Sequence, residues 1–372
     1  MYYMQTMYEK LLFPTKINDR TIKNKVVAAP PPSFLCEKDG SLTPQFFNYY
    51  KNLTKSEPGI LILESSAISQ KGKAWPNQCV ISDDINFLAI SELVTKIRNQ
   101  EILPMIQLYH GGINAIPGNE YNLLGPSIIS NKNISGKINE LTTGEIDALV
   151  EEYQKATSHI WNVGFSGIEL NAAEGTVIHQ FLSPITNKRK DEYAYGYDNG
   201  ILFLRKIIQS IKSIAPDLVF SLKLSLRDLI PGGAGLNTAI EIANDVKKLG
   251  IDLFHVTEGL TLGKAACLHP FLRNNQSSAP FAEDALIFKN ETKTKVILST
   301  GFFTPIIAEK VLCKDCCDYI SLGRELNREP EWITMAMTNQ PIEFYKKCKY
   351  CMLCKAAIGE CPESRVNEIK LG

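Results

Sequence analysis

Eight short runs of β-branched and aliphatic residues punctuate the chain, and each is followed by a longer stretch of helical period. The runs are NKVVAAP (24–30), GILILESSA (59–67), LPMIQLYH (103–110), GIELNAA (167–173), VFSLKLS (219–225), LFHVTEG (253–259), KVILSTG (295–301) and DYISLGR (318–324). They are nearly continuous in apolar character rather than alternating, as strands covered on both faces are. Eight such alternations over roughly 300 residues predict an α/β fold of one kind, a closed (β/α)₈ barrel. An open doubly wound sheet would want a G-x-G-x-x-G turn after an early strand, and PPPSF stands there instead. The GGAG at 232–235 reads as a loop after the fifth strand.

Helix starts are written between the runs. Thr43 followed by Pro44 has the form of an N-cap and first helical position, and Thr142 or Thr143 opens a long helix with Ile146, Leu149, Val150 and Tyr153 on one face. Further helices are expected to begin near Asn86, Gly200, Asn237 and Thr304. Two long connections, 68–83 and 111–140, are rich in Gly, Pro and Asn and are expected to cover the barrel mouth. Barrel active sites lie at the C-terminal strand ends, so residues there are read for function first. The expected division is a barrel over 1–340 and a Cys-rich tail over 341–372.

Charge excludes some partners. Forty basic residues balance forty acidic ones in 372, with no long basic run, which argues against nucleic acid or an anionic membrane surface. No apolar stretch reaches the roughly 18–20 residues of a membrane span, and MYYMQTMYEKLLF lacks the plan of a signal peptide. A cytoplasmic protein is expected. Its ten cysteines then need an explanation other than disulfides. Cys348, Cys351, Cys354 and Cys361, the last followed by Pro362, are spaced as metal ligands. Four thiolates so close are unfavourable without an ion to share. The C-x₂-C-x₂-C core suits a [4Fe–4S] cluster, and zinc in a Cys₄ site stays open. Cys313, Cys316 and Cys317 are expected to be buried, inert thiols.

The run HQFLSPITNKRKDEY (179–193), preceded by GFSGIELNAAEG, resembles the corresponding segment of the Old Yellow Enzyme family of FMN-dependent NAD(P)H oxidoreductases. NKVVAAP, MIQLYHGG, STGFFTP and SLGRELNREPEW are similar to the family in the same order, over roughly residues 8–340. With the Cys-rich tail, the likeness extends to the subgroup of 2,4-dienoyl-CoA reductase and trimethylamine dehydrogenase, which carry a [4Fe–4S] cluster after the barrel.

A flavin site also makes sense residue by residue. Gly301 and Gly323 end the seventh and eighth runs, where backbone N–H groups can approach a phosphate, and Arg324 adds a forked cation. Gln107 can donate and accept at once, as the O2/N3 edge of an isoalloxazine requires. The resemblance implies that Lys223 takes the place of an arginine beside flavin N1 and O2, keeping the charge and losing the fork. It also implies that Ala29, Pro30 and Pro31 pass under the ring and that Ser65 contacts its polar edge. Pro32 stands where relatives often hydrogen-bond flavin N5/O4, and proline supplies no donor.

The largest departures follow the fourth strand. The family's substrate-binding pair, two histidines or histidine and asparagine, with a tyrosine proton donor two residues on, reads here Asn171, Glu174 and Thr176. A carboxylate repels a developing enolate oxygen, and threonine is too weak an acid to replace a phenol. Simple enones are therefore expected to be poor substrates, and Glu174 could partner an amine or N-heterocycle. In the alternative, Glu174 caps a loop or pairs with Arg189. His179 is expected to be structural, while Tyr109 and His110 end the third run and could line the pocket, His269 sits in the loop after the sixth, and none of the three is singled out as the acid.

The expected protein is thus an FMN oxidoreductase acting on a small molecule, reduced by NAD(P)H or by a ferredoxin- or flavodoxin-like partner. Ending at Gly372, the chain is expected to lack the second nucleotide-binding region of larger relatives. An amine-type dehydrogenase and an electron-transfer subunit are the alternatives, and assembly as a homo-oligomer is left open.

Overall fold

Strand formation follows from two-sided burial. The computed structural model describes residues 6–29, 32–81, 87–117, 122–263, 278–348 and 361. Each of the eight runs contains one strand: β1 (Val26–Ala28), β2 (Ile60–Ala67), β3 (Leu103–Tyr109), β4 (Gly167–Ala172), β5 (Val219–Ser225), β6 (Leu253–Thr257), β7 (Val296–Ser299) and β8 (Tyr319–Leu322). They pair in parallel in chain order and close through β8 onto β1, with Ile320, Ser321 and Leu322 opposite Val26, Val27 and Ala28. The predicted barrel is the fold.

Two of the helices start on side-chain caps. The Thr43 hydroxyl accepts the Phe46 N–H at 3.2 Å and Pro44 leads α1 (Pro44–Leu53). α2 (Phe87–Arg98) precedes α3 (Thr143–Val163), whose Thr142 forms a capping box with Glu145. Then come α4 (Leu202–Ile214), α5 (Leu236–Val246), α6 (Ala282–Thr292) and α7 (Pro305–Cys313), the last with Thr304 as N-cap. The GGAG segment is a hydrogen-bonded turn into α5, with Asp228 N–H donating to the Ala234 carbonyl at 2.9 Å and Ala234 N–H to the Asp228 carboxylate at 2.9 Å. Cys316 and Cys317 are buried as expected; Cys313 is exposed. No helix among the described residues is long and apolar enough to cross a membrane.

The barrel interior changes character along its axis. Its lower half is an apolar plug of Val27, Ile60, Ile62, Leu103, Met105, Val219, Leu253, Ile297 and Tyr319. Ile17 and Ile22, from an antiparallel ribbon of Thr15–Ile17 and Arg20–Ile22, pack onto it. Two residues further along β3 to β8 the inward positions turn polar: Gln107, Glu169, Ser221, His255, Ser299 and Ser321. Above them the two long connections meet. Gly111 N–H donates to the Gly72 carbonyl and Ile116 N–H to the Lys73 carbonyl, both at 2.7 Å. Leu123–Gly125 and Ile138–Glu140 add a small parallel ribbon. These connections contribute to the mouth wall, as their composition suggested.

Candidate active site

A cavity of about 640 Å³ opens at the C-terminal strand ends, within the size range of cofactor and ligand sites. Of the residues expected to hold a flavin, Ala29, Pro32, Ser65, Gln107, Lys223, Gly323 and Arg324 line it. Asn171, Glu174 and Thr176 line it too. Pro30, Pro31 and His269 lie outside the described residues. Gly301 is not on the wall. It lies two residues past β7 with φ +84°, and Ser299 and Thr300 form the wall there instead. Thr300 itself has φ +84°, an uncommon conformation for a β-branched side chain, at the edge of the cavity. Gly323 N–H donates to Glu325 at 3.2 Å, so that group already has one acceptor.

Strand register brings the polar side chains together. Asn171 on β4 and His255 on β6 both pair in register with Lys223 on β5. Gln107 is held on all sides: its Nε2 donates to Glu169 at 2.6 Å, while its Oε1 accepts from Asn171 at 2.9 Å and from the Ser65 hydroxyl. Asn171 Oδ1 accepts Ala173 N–H at 3.0 Å. The Thr176 hydroxyl donates to the Asn171 carbonyl at 2.8 Å, so its proton serves the loop.

Glu174 does not pair with Arg189. Arg189 is held by Asp191, Pro126 and Leu141, whereas Glu174 accepts from Lys223 Nζ at 3.0 Å and from Thr257 at 3.4 Å. The adjacency of β4 and β5 decides this choice, placing the Lys223 ammonium beside the turn that carries Glu174, whose φ is +54°. Burial pushes the Glu174 pKa up, but the charge and hydrogen bond of Lys223, with the charges of His255 and Arg324, bring it below the usual carboxylate value. His179 is structural as expected: buried, with Nε2 on Asp228 at 2.9 Å and Nδ1 accepting Gly175 N–H at 2.9 Å. Tyr109 reaches the cavity wall beside Trp75, ring centroids 5.6 Å apart. His110 is buried off the wall, and burial lowers its pKa to about 4.

Sequence reasoning overlooked the Glu169–His255 pair. Both are buried, with His255 Nδ1 2.8 Å from Glu169 Oε2. Their signal was present as lone polar residues within the apolar runs GIELNAA and LFHVTEG.

At the tail, Cys348 packs on Phe303, and Arg328 Nη1 points to Cys361 Sγ at 3.9 Å. Cys351 and Cys354 lie outside the described residues, and among those described no cluster of three or more metal-binding side chains occurs.

A parallel barrel with a polar upper interior, a lysine in its wall and an arginine just past β8 has the features that a flavin-binding oxidoreductase barrel needs. The chain belongs to the NADH:flavin oxidoreductase / NADH oxidase family, whose sequence profile matches residues 10–343. It is 30% identical over 329 residues to an NADPH dehydrogenase of Bacillus subtilis, covering 87% of this chain and 93% of that protein. It is 27% identical over 350 residues to an NADH oxidase of Thermoanaerobacter brockii, covering 93% of this chain and 53% of that one. In structure it is similar to a 2-naphthoyl-CoA reductase (TM-score 0.84, 24% identity, 93% of this chain and 54% of that one). It is likewise similar to an Old Yellow Enzyme homologue from Zymomonas mobilis (TM-score 0.77, 23% identity, 95% and 98%). The chain thus spans about half the length of the NADH oxidase and of the 2-naphthoyl-CoA reductase.

Proposed function

We propose that the chain binds FMN in this cavity and moves hydride between NAD(P)H, or a protein donor, and a small unsaturated molecule. The observation that carries the reading is the polar upper layer of the barrel, with Lys223 and Gln107 at its deep end and Arg324 at the end of β8. The fit to a flavin rests on chemistry present in the chain. A lysine, an amide and an arginine lining one cavity are the cation and donor set that a flavin ring and its phosphate call for. When bound, FMN supplies a ring that accepts hydride as an electron pair and passes it on.

The chain's own residues then divide the work. Arg324 provides a forked cation for a phosphate dianion. Lys223 offsets negative charge at the deep end, and Glu174 holds it in position. Gln107, immobilised by Glu169, Asn171 and Ser65, presents its remaining N–H as a fixed donor. Phe34, Trp75 and Tyr109 form an aromatic outer wall suited to a flat substrate. With Asn171 and Thr176 committed to the protein, an enone oxygen finds no imidazole pair, so simple enones turn over poorly.

One observation favours a second reading. Glu174 is ionised and half-exposed to the cavity, as a partner for a cationic amine or N-heterocycle would be. For the tail (341–372) we propose a metal site of Cys348, Cys351, Cys354 and Cys361, either [4Fe–4S] or zinc; four thiolates suit both. An iron–sulfur cluster there would let electrons leave or enter singly, through a ferredoxin- or flavodoxin-like partner. The thiols of Cys36, Cys79, Cys316 and Cys317, none of them in a disulfide, suit a cytoplasmic location.

Anaerobic titration of the FMN-loaded protein tests the scheme. Bleaching of the flavin by NADH or NADPH supports the first reading, and bleaching by amines alone supports the second. Bleaching only by a reduced protein donor, with no reoxidation by any small unsaturated molecule, would leave an electron-transfer role and refute both. Iron and zinc analysis of anaerobically purified protein identifies the metal, and absence of both refutes the tail site.

A further inference from the structure

The turn after β4 is pinned by four neighbouring segments. Glu174 stands at φ +54° and Gly175 at φ +88°, a left-handed pair uncommon for a glutamate. Glu174 N–H donates to the Ser225 hydroxyl at 3.1 Å, which in turn donates to the Gly259 carbonyl at 3.1 Å. Gly175 N–H donates to His179 Nδ1 at 2.9 Å, and the Gly175 carbonyl accepts from Asn114 at 2.8 Å and Gln180 at 2.7 Å. A backbone held in this way aims the Glu174 side chain in one direction.

That direction is Lys223. Glu174 Oε2 accepts from Lys223 Nζ at 3.0 Å, and Oε1 accepts from the Thr257 hydroxyl at 3.4 Å. Both partners of the ion pair line the cavity, the Glu174 side chain 41% exposed and that of Lys223 15%. An occupant of the deep end therefore meets a pair of cancelling charges, where a lysine without the carboxylate would present a full positive one.

The difference matters to a flavin. Two-electron reduction with uptake of one proton leaves the ring with one more negative charge than it had when oxidised, so a neighbouring cation favours the reduced form. An anion 3.0 Å from that cation removes much of its field.

We propose that Glu174 lowers the reduction potential of bound FMN by offsetting the charge of Lys223 beside the ring. This role rests on the FMN reading above and gives it a direction. A flavin of lower potential is a stronger hydride donor and a poorer hydride acceptor. It suits a substrate that the pocket does not itself activate, since Asn171 and Thr176 are committed to the protein, and it disfavours oxidation of an amine.

The test is Glu174→Gln in the full FMN-loaded chain. Glutamine keeps an oxygen that accepts from Lys223 and removes the charge. Flavin midpoint potentials of wild type, Glu174→Gln and Lys223→Gln are measured by anaerobic spectroelectrochemistry. Glu174→Gln is expected to favour reduced over oxidised FMN about tenfold more than wild type does, a rise of about 30 mV for a two-electron couple. Lys223→Gln is expected to move the potential the other way. A Glu174→Gln potential equal to or below that of wild type overturns the proposal, and so does a Lys223→Gln potential that does not fall. If Glu174→Gln does not fold, Glu174→Asn, neutral and tolerant of positive φ, is measured in its place against the same outcomes. Wild-type protein that takes up no FMN overturns the FMN reading as well, whereas FMN bound at potentials indifferent to both substitutions removes only this inference.

Discussion

Replacing Glu169 with glutamine should cost stability in a way that depends on pH. Its carboxyl, ordinarily at 4.5, is held at about 2 in the folded chain, a difference worth about 3 kcal/mol of folding free energy at neutral pH. A depressed carboxyl stabilises above its unfolded value and loses that contribution as pH falls toward its folded one. The stabilisation should therefore be complete above about pH 5.5 and more than half gone by about pH 3. Glu64 works in the opposite sense. Burial pushes it up to about 7, so the stability from its protonated form is present below 4.5 and lost as pH rises through 7. The two trends overlap in a wild-type acid titration, and only the difference between wild type and Glu169→Gln isolates the first. Urea unfolding at a series of pH values from 7 to 3, at fixed FMN concentration, measures it. A variant as stable as wild type at pH 7, or a gap that does not narrow on acidification, refutes the reasoning.

Three further outcomes are expected. Arg324→Ala should weaken FMN binding by roughly ten- to a hundredfold while affecting riboflavin far less, because a charge-assisted contact to phosphate is lost; fluorescence titration with both ligands checks it. Gly175→Ala should destabilise the protein by more than about 2 kcal/mol in urea melts. A Cβ there would lie 2.0 Å from the Thr261 carbonyl oxygen, at φ +88°. Thr142→Ala should lower stability by about 1 kcal/mol in the same melts, through loss of the capping box on α3.

The barrel was readable because its strands are buried on both sides and two of its helices begin on recognisable caps, Thr43–Pro44 and Thr142. The polar wall was readable only in part. Gln107 and Lys223 stand out inside apolar runs, yet Glu169 and His255 do so equally and were passed over. Pairings were the harder problem. Glu174 meets Lys223 across 49 positions and His255 meets Glu169 across 86, distances closed by register between neighbouring strands rather than by local pattern. Arg189, the alternative partner for Glu174, instead uses its guanidinium to pin the backbone carbonyls of Pro126 and Leu141. The displacement of the wall from Gly301 to Thr300 has a similar cause. β7 ends at Ser299, so the chain turns away before the glycine reaches the cavity.

The hydrocarbon plug in the lower barrel makes this a vessel with a sealed base. Met105, Leu253 and Ile297 carry no group that can relay a proton, Tyr319 alone brings a hydroxyl to this cluster, and Ile17 and Ile22 thicken the seal from beneath. The cavity accordingly opens at the C-terminal strand ends alone among the described residues, with Trp75 on its wall and the rim segments joined by the Gly111–Gly72 hydrogen bond. Changes at the rim should therefore govern how fast the interior equilibrates with solvent, even where they touch none of the groups at the bottom.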